Sequence, residues 1–268
     1  MKKLPLLVAF VGSLICLYFY IKVPDSNPMY VSTQSQILPK QPEKPEPESI
    51  VLVREIIARD AKLRTFQSDV RIELSKRIRV EVTGTMVMEK DKRFRMVLNS
   101  RFGKEMDIGS NDTHFWFWSK RMDPPFLHYA RHEDLSKAHM RTALDPNWMM
   151  EALNLGGVNY SQIVKFKQYY AAIQTRSDGT AVALIDPVNR LVVGRYLYNA
   201  KEKMVVSSEV KLFQEIDGHV VPKELLIIWY EEGLKLDMTL SNSKLNAGTS
   251  EKHWIMPTMP NSIDMSKQ

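Results

Sequence analysis

Residues Arg93 to Lys120 read RFRMVLNSRFGKEMDIGSNDTHFWFWSK, and this stretch decides the fold. Phe94, Met96 and Leu98 alternate with Arg93, Arg95, Val97 and Asn99, the two-residue period of a strand with one buried face. Gly103, and then Gly109-Ser110-Asn111-Asp112, supply turn chemistry at hairpin spacing. Between them Glu105-Met106-Asp107-Ile108 alternates again. Phe115-Trp116-Phe117-Trp118 then puts large aromatics on both faces of a third strand. Such a strand must be covered twice, either by two layers of protein or by one layer and whatever fills a cavity on the other side.

The same period runs outward in both directions. Upstream, Val70, Ile72 and Leu74 alternate, followed by Val80, Val82, Gly84, Met86 and Met88. Downstream, strands are predicted over Tyr169 to Thr175, Ala181 to Ile185, Leu191 to Tyr198, Met204 to Gln214, Val221 to Tyr230 and Leu234 to Leu240. Turn residues separate them at Ser177-Asp178-Gly179, Asp186-Pro187, Ile216-Asp217-Gly218 and Glu231-Glu232-Gly233. Alternation of this kind means an antiparallel sheet with one wet face, and the pattern amounts to about 10–11 strands. No βαβ rhythm and no internal repeat is visible.

Two helices interrupt the strands. Glu48-Ser49 caps a predicted helix from Ile50 to about Arg64, with Val53, Ile56, Ile57 and Ala61 on one stripe and Arg54, Arg59, Lys62 and Arg64 on the other. Asp145-Pro146 opens a second helix, carrying Trp148, Met149, Ala152 and Leu153 and stopping at Gly156-Gly157.

Residues 4–21, LPLLVAFVGSLICLYFYI, are uncharged and apolar, with Lys2-Lys3 before them and Lys22 after. That is long enough to span a bilayer and lacks the small residues of a cleavage site, so residues 1–23 read as a transmembrane signal anchor. Leu14-Ile15 are too bulky before Cys16 for a lipoprotein signal. The paired lysines keep the N-terminus in the cytoplasm, which places the remainder on the periplasmic side of the inner membrane as a single-pass protein. Residues 24–49 hold Pro24, Pro28, Pro39, Pro42, Pro45 and Pro47 and read as a linker of about 80 Å reach at roughly 3.1 Å per residue. After Ala247, Pro257 and Pro260 predict an irregular C-terminal tail, residues 247–268.

The single cysteine rules out an intramolecular disulfide. Between Arg54 and Arg101 stand 13 Lys+Arg against 7 Asp+Glu, which accounts for the whole formal net charge of +6. A basic region of this kind either faces an anionic lipid surface or forms the solvated faces of strands. No nucleic-acid-binding motif accompanies it. The chain lacks a Gly-x-Ser-x-Gly elbow, a phosphate loop, a dinucleotide fingerprint and a zinc-protease motif, so no catalytic residue and no cofactor is assigned. His114, His128, His132 and His139 cluster in sequence, but in a strand His128 and His132 would stand about 13 Å apart, too far to share one ion. No metal site is assigned.

Three pieces of the chain carry a family resemblance: Gly84-Thr85-Met86, Phe94-Arg95-Met96, and the run Ser110-Asn111-Asp112-Thr113-His114-Phe115-Trp116-Phe117. Their order resembles the bacterial lipoprotein carrier family, LolA and its outer-membrane relative LolB, over residues 50–246. Met96 replaces the usual aromatic, and the membrane segment is one that a soluble carrier lacks. The resemblance implies a mainly β (α+β) fold, a strongly curved antiparallel half-barrel with helices across its concave side. It also implies that acyl chains of a lipid or lipoprotein bind in the concavity. The residues it marks for binding are Arg95, Phe94, Met96, Met86, Met88, and Phe115/Phe117 or Trp116/Trp118. Flexible methionines, of which the chain has 15, suit a site that accepts varied chains, and they suit core filling equally.

Arg95 takes the family's arginine position, which resembles a latch holding the lid helices to the sheet. The loop from Arg121 to Leu127 is a candidate membrane-touching segment. Besides an acyl carrier, the residues admit a sensor or scaffold of the same fold that binds an envelope protein, and a hydrolase.

Overall fold

The computed structural model describes residues 47–75, 79–90, 93–134, 150–153, 157–176, 179–231 and 233–267. The expected anchor, the linker up to residue 46 and the second helix up to Met149 lie outside the described residues. Among those described, no helix is long and apolar enough to cross a membrane.

The first element is α1 (Pro47–Asp60), so Pro47, Glu48 and Ser49 are helix rather than the end of the linker. Glu48 sits in the first turn and Arg59 in the last, both favourable to the helix dipole. Leu52, Val53 and Ile56 form its buried stripe. The helix stops four residues before the expected Arg64, because Lys62 and Leu63 tighten onto the carbonyls of Arg59 and Asp60 and turn the chain into the sheet.

Strands β1 (Thr65–Ser75), β2 (Arg79–Glu89), β3 (Arg93–Ser100), β4 (Gly103–Ser110), β5 (His114–Ser119) and β6 (Leu127–Arg131) follow as a meander. After Met150 to Leu153 come β7 (Gln162–Phe166), β8 (Tyr169–Arg176), β9 (Gly179–Asp186), β10 (Leu191–Asn199), β11 (Met204–Ile216), β12 (His219–Trp229) and β13 (Leu234–Leu245). A last short strand, β14, spans Ser262–Asp264. All belong to one sheet in the order β14-β6-β5-β4-β3-β2-β1-β13-β12-β11-β10-β9-β8-β7. The two meanders join where β1 pairs with β13, and the ends do not meet, so the curved sheet is a half-barrel with its helices across the concave side.

The described sheet has 14 strands rather than 10–11. The extra three are β6, β7 and β14, each of five residues or fewer.

Register sorts the side chains. Val70, Ile72 and Leu74 of β1 stand opposite Gly84, Val82 and Val80 of β2, and opposite Leu240, Met238 and Leu236 of β13. These belong to the main core, which covers the inner face from β6 round to β11. A Cβ on Gly84 would stand 1.9 Å from the Val97 carbonyl oxygen, so only glycine lets β2 and β3 approach this closely there. Farther round, Leu52, Val53 and Ile56 of α1 pack on Ile163, Tyr170, Ala172, Ala183, Ile185 and Val192.

The tail is more ordered than expected. Residues 247–267 form a strap across the outer face. Thr65 Oγ1 donates to the Ala247 carbonyl at 2.7 Å, Gln67 Nε2 to that of Gly248 at 2.9 Å, and Asn111 Nδ2 to that of Trp254 at 3.0 Å. The strap then rounds the sheet edge as β14, parallel to β6, and buries Met265 in the inner core. Prolines at 257 and 260 do not prevent this, since side-chain donors and not a ladder hold most of its length.

Candidate functional site

The inner face brings six of the marked residues together. Met88 lies opposite Phe94, and Met86 opposite Met96, across the β2–β3 pair. Ile108 of β4 links Met96 to Phe117 of β5, and Ser110 links Phe94 to Phe115. All six are within 3% of fully buried: Met86 and Phe94 and Phe115 at 0%, Phe117 at 1%, Met88 at 2% and Met96 at 3%. They fill the concavity as a packed core. Loosening it for a ligand costs contact area, and the thioethers, with their free rotations, are the side chains best able to give.

A polar set that sequence reasoning missed fixes the segment lying over this core. Met150, Ala152 and Leu153 are buried in it. Ser208 Oγ of β11 donates to the Ala152 carbonyl at 2.9 Å. Arg176 Nη2 of β8 donates to both carboxylate oxygens of Glu151, at 2.7 and 2.8 Å. Arg195 of β10 is 7% exposed and donates to the Gly157 carbonyl at 2.6 Å. Burial holds the Arg195 guanidinium below the usual arginine range, against the opposing pull of Glu151 and Asp60. Arg195 reaches the inner face because β10 is bulged between Val192 and Gly194. The one available signal was a charge inside the apolar run LVVGRYLY.

Arg95, Trp116 and Trp118 are on the opposite face. Arg95 pairs with Gly109 and Val87, whereas the core residues pair with one another, so the nine marked residues fall into two groups on two faces, with Phe115/Phe117 and not Trp116/Trp118 on the inner one. Arg95 does not hold the segment over the core. Its guanidinium meets Asp107 at 2.9 and 3.2 Å and, through Nη1, the carbonyls of Lys252, His253 and Ile255 at 3.4, 3.2 and 3.3 Å. Asp107 is wholly buried and also accepts from Lys104 Nζ at 2.7 Å and Trp116 Nε1 at 3.3 Å. Burial pushes the Asp107 carboxyl up, but hydrogen bonds from Arg95 and Lys104 outweigh it and leave it below the usual carboxylate range. The Trp116 ring lies flat over Gly109, where a Cβ would come within 2.2 Å of it. Trp118 is half-buried and donates to the Pro125 carbonyl at 3.1 Å.

No protein-family model matches the sequence, and no curated protein does either. Solved structures do. A DUF1329 family protein from Desulfovibrio piger superposes with a TM-score of 0.53 at 13% identity, over 78% of this chain and 95% of that one. A LolA superfamily protein from Nitrosomonas europaea gives 0.52 at 11% identity, over 76% and 97%. A domain named for outer membrane lipoprotein sorting, from Vibrio parahaemolyticus, gives 0.52 at 10% identity, over 76% and 95%.

The chain has a LolA-like fold. Within it, residues outside the two groups have structural partners. His128 is buried in β6, and desolvation keeps its imidazole below the usual histidine range. His132 opens a 3-10 turn and bonds the Asn111 carbonyl at 2.7 Å. In the loop from Arg121 to Leu127, Met122 packs on the core and Leu127 is 2% exposed, so these apolar residues dock on the body. The exposed apolar tip nearby is Phe102, 66% exposed in the β3–β4 turn with the Arg101 guanidinium 4.6 Å from its ring centroid.

Proposed function

We propose that this protein is a membrane-anchored periplasmic protein that binds acyl chains of a lipid or lipoprotein between the inner sheet face and the segment from Met150 to Gly157, without catalysing a reaction. One observation carries this reading. The six inner residues are flexible or flat apolar groups, and the described residues above them are tied down by side-chain bonds to Glu151, Ala152 and Gly157. Each such bond contributes about 0.5–1.5 kcal/mol net, or up to about 3 where an ion takes part. A segment held this way lifts at modest cost once an incoming chain supplies new apolar contact at about 25 cal/mol per Å2.

The LolA-like fold supports the same reading, as does the outer membrane lipoprotein-sorting domain among its structural likenesses. The apolar run at residues 4–21 would hold the protein in the inner membrane, and the proline-rich linker would let the domain stand clear of it. A partner-binding sensor of the same fold is the second reading. A groove of about 460 Å3 on the outer face, of mixed polar and apolar lining, walled by His253 of the strap and floored by Val87 and Val97, favours it.

Mass spectrometry of the organic extract of the purified full-length protein decides between them. A stoichiometric acylated compound supports the first reading. A lipid-free protein that crosslinks at one-to-one ratio to an envelope protein through the groove supports the second.

A further inference from the structure

A narrow slot opens into the inner core where α1 ends. Its walls are Leu63, Phe66, Met88 and Met150, and its rim is Arg64, Thr65, Glu89 and Lys90. Phe66, Met88 and Met150 are members of the main core, so the slot is continuous with the face on which the acyl site is proposed. Its volume is about 20 Å3, room for about one water. It is a closed mouth, and two of its four walls are methionines.

Among the described residues, three cations, Lys62, Arg64 and Lys90, stand around this mouth. Lys62 and Arg64 are exposed and Lys90 is half-buried. Lys90 N donates to the Arg64 carbonyl at 2.8 Å, which holds the two rim residues side by side. Lys90 Nζ rests on a carbonyl, that of Asp60, at 2.8 Å. The nearby carboxylates are engaged elsewhere: Asp60 with Arg59 at 3.1 Å, and Glu89 with Thr249 Oγ1 at 2.9 Å and Arg93 at 3.8 Å. Among the described residues, none of Lys62, Arg64 and Lys90 has a carboxylate within 4.0 Å. The strap braces the rim, since Asn246 Oδ1 accepts from the Arg64 backbone N–H at 2.7 Å.

We infer that this slot is the mouth through which an acyl chain enters, and that its rim selects an amphiphile whose phosphate headgroup carries a net negative charge. The inference rests on the acyl-binding reading above and adds the chemical class of the ligand. A chain passing between Phe66, Met88 and Met150 leaves its polar end at Arg64 and Lys90. A fatty-acid carboxylate offers two oxygens, fixed directly at the end of its chain. A phosphate presents oxygens to several cations at once, and the planar arginine fork suits it. A zwitterionic headgroup brings its own cation and gains less.

The test uses the full-length protein in detergent micelles doped with equal amounts of phosphatidylglycerol and phosphatidylcholine carrying identical chains. Native mass spectrometry counts the lipid retained. The anionic lipid is expected to exceed the zwitterionic one by at least roughly fivefold, the effect of one cation worth about 1 kcal/mol. The double variant Lys62→Glu/Arg64→Glu, at two exposed positions, should bring that ratio to about one. Equal retention of the two lipids by the unaltered protein, or an unchanged ratio in the variant, overturns the headgroup assignment and leaves the acyl site standing. Retention of neither lipid overturns the acyl site and this inference with it. Loss of the anionic preference in excess inorganic phosphate, with chain binding unchanged, would reassign the rim to free phosphate.

Discussion

Arg95 and Asp107 sit on adjacent strands of the outer face, joined by two bonds of 2.9 and 3.2 Å, with the carboxylate wholly buried and the guanidinium also gripping three carbonyls of the strap. This pair therefore fastens the C-terminal strap to the sheet. Removing one partner of a buried pair costs about 3–5 kcal/mol, and Lys104 at 2.7 Å should keep the loss near the lower figure. Arg95→Leu should destabilise the protein by about 3 kcal/mol and speed amide exchange over residues 248–264. Arg93→Leu, whose pairs with Asp112 and Glu251 are exposed, should cost about 1 kcal/mol or less. Equal effects at both positions would make Arg95 ordinary surface.

The strap should also respond to acid. The folded Asp107 carboxyl lies below its usual range, while in the unfolded chain it titrates near about 3.9. Its contribution is thus complete above about pH 4 and is lost as the pH falls through the lower folded value. Proteolysis within residues 247–261 should accelerate below about pH 4. Asp107→Asn should show that acceleration already at neutral pH, and a strap equally protected in the variant would remove Asp107 as its fastener.

Phe115 and Phe117, not Trp116 and Trp118, face the inner core. Phe117→Ala should cost about 3–5 kcal/mol of stability, the usual penalty for truncating a buried ring. Phe117→Leu, a smaller change, should stay folded and weaken retention of a fluorescent fatty acid. Retention unchanged in a folded Phe117→Leu protein would place the ligand elsewhere.

Arg195→Met removes the donor to the Gly157 carbonyl while filling most of the arginine's volume. A loss of about 1.4 kcal/mol in the tie should raise the acyl off-rate about tenfold. Arg176→Met, which frees Glu151, should act in the same direction. A fall in melting temperature with an unchanged off-rate would make Arg195 structural only.

Phe102, with the Arg101 guanidinium 4.6 Å from its ring and Lys120 Nζ on its carbonyl at 3.2 Å, is the exposed apolar tip that should touch a lipid surface. Phe102→Ser should reduce cosedimentation with anionic vesicles, with little change in stability. Vesicle contact that survives Phe102→Ser would move the docking surface elsewhere.

Much of the fold was legible because a strand declares itself through a period of two. The runs at 70–74, 80–89, 93–99, 115–118 and 234–240 all form strands, and Asp217-Gly218 forms a turn as expected, whereas Gly109 and Ser110, expected in a turn, belong to β4 and leave the turn to Asn111, Asp112 and Thr113. Short strands do not declare themselves. β14 has three residues and is a strand only because β6 lies beside it, and β7 has Ile163 and Val164 buried on both faces, so it shows no alternation.

Alternation divides residues into two faces without saying which face is covered. Met86, Met88, Phe94, Met96, Phe115 and Phe117 became one group, and Arg95, Trp116 and Trp118 another, only when Met150, Ala152 and Leu153 packed over one side and the strap over the other. Arg195 shows the same limit locally, because a bulge one turn of the pleat away decides which face it serves. The sequence by itself determined the strands, their turns and the apolar content of the sheet, since these depend on neighbours along the chain. Which side became the core, which arginine ties the overlying segment and where a slot reaches the core were decided by contacts between residues far apart in sequence, and those exist only once the half-barrel has curved.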